Sequence, residues 1–190
     1  TAWHVGGEPV PAAAAIPGLD PAAYRAGYAP FDVGGRWGRP WDTTWFRMRG
    51  RVPDAVRDGR VELIVDLGWR VDSVPGFQAE ALAYAADGTV IKGVHPRNNW
   101  IPVAGAEVDV YLEAAANPQF FGAAADRFVP TPLGDVRTAG DRPQFTLAGA
   151  GLYLVDPALT GLIADLDLVA GLVAEPSVDA TLRAVAGQAL

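Results

Sequence analysis

The chain has 190 residues, 50% of them hydrophobic and 19% charged, a composition that supports one well-buried core and excludes a wholly disordered chain. Its formal net charge of −7 opposes nucleic acid and anionic membrane, which carry the same sign, and leaves sugars, cations and other proteins as partners. The lack of cysteine removes disulfides, thiolate metal sites and cysteine nucleophiles together, and leaves the redox compartment open.

Residues 1–32 read as an irregular N-terminal arm, part of a Gly, Pro and Ala-rich stretch that runs on to about residue 43. It holds one short helix signal, Asp20 as cap with Pro21 at the first helical position. Residues 33–155 read as a β-sandwich. Thr44, Phe46, Met48 and Val52 alternate with Arg47, Arg49 and Arg51, the pattern of a half-buried strand. Val61, Leu63, Val65 and Leu67 point inward on the next strand, with Glu62 and Asp66 outward; pairing of these two strands would set the arginine row against acidic partners. Asp87-Gly88 reads as a two-residue hairpin turn. Val108, Val110, Leu112 and Ala114 give another alternation. A long excursion from about Asn117 to Arg142 is of the kind that packs over a sheet end or a site, and Gln144 to Val155 is extended again.

Residues 156–190 read as a helical connector, opened by Asp156 as cap and Pro157 at the first helical position. Leu159, Leu162, Ile163, Leu166, Val169, Ala170 and Val173 form one apolar stripe, expected to fold back on the sandwich or to pair with another copy of the chain. No apolar run reaches the roughly 18 residues of a membrane helix, and the opening lacks the build of a signal peptide, so no membrane partner is expected. The chain opens on Thr1 and its helical pattern is still running near Leu190; it is expected to be a piece of a longer protein. The architecture this predicts is mainly β: an antiparallel, jelly-roll-like, galactose-binding-like sandwich followed by a C-terminal helical connector.

Catalytic equipment is thin. His4 and His95 belong to no metal-ligand spacing, and neither a Gly-x-Ser-x-Gly elbow nor a phosphate loop is present. GGRWGRPW has its glycines but no strand before it and no helix after it, which makes a nucleotide reading weak. Glu80 and Glu113 lie on separate predicted strands and are the one carboxylate pair to set against glycoside hydrolysis, with solvated strand-face charges as the plainer reading. Trp37, Trp41 and Trp45 offer sugar-stacking planes, with packing at the edge of the sandwich as the more usual role of such tryptophans. The run His95-Pro96-Arg97-Asn98-Asn99-Trp100 is the most site-like stretch, with a self-closed loop as its rival. Carbohydrate-contact candidates are therefore Trp37, Trp41, Glu80, Arg97, Asn98 and Trp100, with no catalytic residue and no metal ligand assigned.

Several ordered motifs carry a family resemblance. WGRPWDTTWFRMRGRVP (37–53), VELIVDLGW (61–69), PGFQAEALAYAADGTVIKGVHPRN (75–98), VDVYLEAAANP (108–118), PTPLGDVRTAG (130–140) and LYLVDPALTGLIADLDLVAGL (152–172) resemble the N-terminal domain of bacterial α-mannosidases of glycoside hydrolase family 38. The resemblance implies a jelly-roll-like accessory domain ahead of a catalytic barrel, in which zinc and an aspartate nucleophile perform retaining hydrolysis of terminal α-D-mannosides. It implies a cytoplasmic bacterial setting, zinc in the parent enzyme and no cofactor in this chain. The family's His-x-Asp zinc motif is absent here, so no family catalytic residue transfers to any position. The partners implied are the parent's own catalytic barrel, a mannoside and a second copy of the chain. An independent carbohydrate-binding module and a structural self-association domain are the alternative functions.

Overall fold

The structure, a computed structural model, describes residues 1–5, 10–69, 78–118 and 132–190. Part of the expected 117–142 excursion lies outside the described residues. The chain divides into two units, Thr1–Tyr153 and Leu154–Leu190.

The first unit is a β-sandwich. One layer is a five-stranded antiparallel sheet in the order β1 (Ala2–Val5), β3 (Thr43–Arg51), β8 (Glu107–Ala115), β5 (Glu80–Ala85), β6 (Val90–Val94). The other is built from a three-stranded sheet in the order β10 (Gly149–Leu154), β4 (Val61–Asp66), β7 (Trp100–Pro102), and a two-stranded pair of β2 (Arg36–Trp37) and β9 (Phe145–Thr146). The alternating apolar positions meet between them: Phe46, Leu63, Val65, Leu67, Ile101, Val110, Leu112 and Phe145 lie in one buried cluster. Each such Leu, Ile, Val or Phe contributes roughly 1.5–3 kcal/mol by leaving water.

Pairing differs from expectation at β3. Its partners are β1 and β8, not the strand at 61–66, and the arginine row accordingly meets the acids of β8. Arg47 donates from Nε and Nη2 to the two carboxylate oxygens of Asp109, at 2.8 and 2.6 Å, and Arg51 Nε lies 3.8 Å from Glu107. Alternation fixes which face a strand buries but not which strand lies beside it. The segment read as an irregular arm supplies β1 and a short helix α1 (Ala12–Ala15). Ala15 and Ile16 then bury Trp45, Tyr84 and Tyr111 on the outer face of the five-stranded sheet. Asp20 accepts from the Ala22 and Ala23 amides as a cap does, yet only a turn follows it. The β5–β6 connection also differs from the two-residue turn. Gly88 N–H bonds to Ala85 C=O and Ala85 N–H to Thr89 C=O, leaving a three-residue loop with Gly88 left-handed at φ 87°.

The second unit is a helical pair, α2 (Pro157–Ala174) and α3 (Ala180–Ala189). Asp156 accepts from the Ala158 and Leu159 amides, and Asp179 from those of Thr181 and Leu182, so both starts are capped by side chains. Within the helical pair no residue of α2 is buried. Its 18 residues average a hydropathy of 1.6, which by length and composition is enough to cross a membrane and corrects the reading that no run reaches that size. Asp165 and Asp167 stand mid-helix, where each charge costs about 2.5–3.5 kcal/mol at a bilayer centre. That weighs against a bilayer and for a protein surface.

Candidate functional site

The residues expected to contact sugar fall in separate settings. Trp37 has no exposed surface; its Nε1 donates to the Leu67 carbonyl at 3.0 Å, and its ring meets Phe46 and Phe145 with centroids 5.3 and 5.2 Å away. It is a core residue with no face left for a ligand, because β2 turns it into the sandwich. Glu80 and Glu113 project from the same face of adjacent strands at diagonal positions, since Leu82 pairs with Glu113 and Glu80 with Ala115. Glu113 accepts the Tyr84 hydroxyl at 2.9 Å. Burial and that bond push the Tyr84 pKa up to about 12.

Arg97 and Asn98 belong to a tight loop joining β6 to β7, and Trp100 is the first residue of β7. Asn98 N–H donates to the His95 carbonyl at 2.8 Å, Arg97 N–H to His95 Nδ1 at 3.3 Å, and Asn98 Nδ2 to the Gly93 carbonyl at 3.1 Å. Lys92 Nζ donates to Asn98 Oδ1 at 2.6 Å and sits 3.2 Å from the Trp100 ring centroid, a cation–π contact. Arg60 Cζ lies 5.6 Å from the same ring while Arg60 itself grips the buried Glu62 at 2.6 Å. The ammonium covers the ring a sugar would stack on, and the Asn98 side chain is spent on Gly93 and Lys92, while Arg97 stays exposed. Its plain effect is to tie β6, at the edge of one sheet, to β7, at the edge of the other.

Trp41 leads to a set of residues that the sequence did not single out. The Asp42 amide donates to the Arg39 carbonyl at 3.0 Å, closing a turn with Pro40 second and Trp41 third, at φ 71°. That third position of a type II turn normally takes glycine, and a side chain there costs roughly 1–2 kcal/mol. Contacts hold it in place: Trp41 N–H donates to the Ala116 carbonyl at 3.0 Å, Ala116 N–H to the Asp42 carbonyl at 2.9 Å, and Trp41 Nε1 to the Leu133 carbonyl at 2.9 Å. Trp41 as a whole stays 41% exposed. Beside the turn is a cleft of about 200 Å³ whose lining includes His4, Arg36, Arg39, Asp42, Thr44 and Pro143. His4 stands opposite Thr44 in the β1–β3 register and hydrogen-bonds its Oγ1 through Nδ1 at 3.2 Å. Burial first, then the nearby Arg39 charge, lowers the His4 pKa, against an upward pull from Asp42. Arg36 Nη2 donates to the Pro143 carbonyl. The sequence signal for this cleft was Arg-Pro-x-Asp, a turn with a charge at each end; His4 and Pro143 join it only through strand pairing.

Among the described residues no group of three His, Cys, Asp or Glu side chains could hold a metal ion. The donor set a zinc hydrolase needs is therefore not formed by them, and no step through zinc can be placed on them. No curated protein matches the chain. Residues 1–153 match the family profile described as alpha-mannosidase, jelly roll domain, which spans the sandwich and most of the chain, and the chain belongs to that family.

Proposed function

We propose that this chain is the non-catalytic N-terminal domain of a zinc-dependent, retaining α-mannosidase of glycoside hydrolase family 38, working in the bacterial cytoplasm. The observation that carries the reading is the family match over residues 1–153, to a jelly-roll domain of an alpha-mannosidase. In this role the sandwich serves folding and assembly of the enzyme and shapes the surroundings of its substrate pocket. The helical pair supplies the contact to the catalytic domain. Leu159, Leu162, Ile163 and Leu166 remain 40–54% exposed, and an apolar face of that kind is normally buried against a partner. Hydrolysis of the terminal mannoside, with zinc as the parent's cofactor, takes place on the partner domain.

The test is an assay of the 190-residue chain on an aryl α-D-mannopyranoside, with zinc and with chelator. The reading expects no aryl alcohol above the protein-free rate in either condition. Release that is indifferent to chelator would place a catalytic centre in this chain and overturn it.

A further inference from the structure

We propose that the cleft between His4, Arg36, Arg39 and Asp42 is a binding site for one neutral sugar ring, gripped through two neighbouring hydroxyls. Asp42 carries the argument. Its side chain is 17% exposed, and its ion-pair partner, Arg39 Nε, stands 3.8 Å away, too far for a hydrogen bond. Its oxygens still reach solvent, and a carboxylate at a cleft wall with no donor among the described residues takes its hydrogen bonds from whatever occupies the cleft. A vicinal diol meets that need: one hydroxyl donates to Asp42, and the oxygen of the next accepts from the Arg39 guanidinium.

Charge and size select the ligand class. Arg39 is shared between Asp42 and Asp141, whose carboxylate lies 3.6 Å from Nη1, and Arg36 is already engaged at the Pro143 carbonyl. Two arginines thus face two carboxylates, and a phosphate or carboxylate ligand would meet Asp42 at close range. Burial and Arg39 keep His4 from adding a further positive charge. A cleft of about 200 Å³ suits one ring, well below the roughly 300–1,000 Å³ of sites for larger ligands. The frame is preorganised, because the Arg39–Asp42 turn is bonded on both sides of Trp41 to Ala116 and through its indole to Leu133. Backbone strain that surrounding contacts hold in place, as at Trp41, gathers at ligand clamps. The proposal rests on this geometry and not on the accessory role, which survives a negative result here.

The experiment is a two-dimensional NMR titration of the 190-residue chain with the methyl α-glycosides of mannose, glucose and galactose, and separately with inorganic phosphate. The expected result is saturable shifts at His4, Thr44 and the Trp41 indole for at least one glycoside, with Kd of about 1–10 mM. Asp42→Asn and Arg39→Gln, each checked for native circular dichroism, should weaken binding by about tenfold or more. Asp135→Asn, outside the cleft, should leave it unchanged. Should one cleft variant fail to fold, the other carries the comparison, and if both fail the shift map of the unaltered chain decides. No saturable shift up to ~50 mM of any glycoside, affinity undiminished in the folded cleft variants, shifts mapping elsewhere, or phosphate binding with the sugars silent would each overturn the proposal.

Discussion

The two units draw on the same apolar side chains and leave them in opposite states. In the sandwich Leu63, Leu67, Ile101 and Leu112 are buried, whereas in the helical pair Leu159, Leu162, Ile163 and Leu166 are about half exposed. The cause is geometric. Strand alternation sends every second residue toward a facing sheet that the same chain provides, so the sandwich completes its own core. An 18-residue helix that is apolar on most sides is matched in its unit by a single 10-residue helix, too little surface to cover it. The sandwich completes its own core, and we propose that the helical pair is half of an interface.

The sharpest way to break this contrast is to truncate one large side chain in each unit. Trp37→Ala should cost about 3–5 kcal/mol, the price of a cavity in a packed interior. Leu162→Ala should change stability by no more than ~0.5 kcal/mol, as at an exposed site. Urea unfolding of the 190-residue chain checks both, and equal losses would contradict the contrast. Gly68→Ala sharpens it from the backbone side. Gly68 adopts φ 92°, and an added Cβ would lie 2.3 Å from the Thr146 carbonyl oxygen, so the β4–β9 junction should fail and the sandwich should unfold at much lower urea.

A smaller effect is expected where the five-stranded sheet is held by charge. Arg47 and Asp109 form a two-pronged pair with side chains 25% and 31% exposed, and the pair raises the Arg47 pKa. Asp109→Asn should cost about 1 kcal/mol, readable as a shift in the urea midpoint. Smaller again is the pH response of His4. Its folded pKa lies below the ordinary 6.5, so the unfolded chain takes up a proton before the native one. The contribution of His4 to stability should be intact above pH 6.5, decline as pH falls through that value, and level off below the folded pKa. NMR titration of the imidazole should place the midpoint below 6.5, and Asp42→Asn should lower it further by removing the upward pull.

Much of the contrast could be read from spacing, and particular residues show where reading stopped. The alternation in 61–67 and 108–114 identified the inward faces of β4 and β8, and Asp156-Pro157 marked the start of α2. Four residues of β1, AWHV, are too few for a period to emerge, so their place beside β3 was hidden. The partner of β3 was hidden for another reason: both β4 and β8 alternate in the same way, and only packing chooses between them. The cleft was least legible of all. It joins His4, the turn at 39–42 and Pro143 across the sheet, and its key turn has tryptophan where the rules call for glycine.

The measurement that bears most directly on the completed-core and half-interface account is hydrogen exchange, run on the 190-residue chain and on the full-length enzyme. The account predicts strong protection of the β3 and β8 amides in both, and protection of Leu159–Val173 that rises severalfold or more only when the catalytic domain is attached. Equal protection of Leu159–Val173 in the short chain and the full enzyme would contradict it.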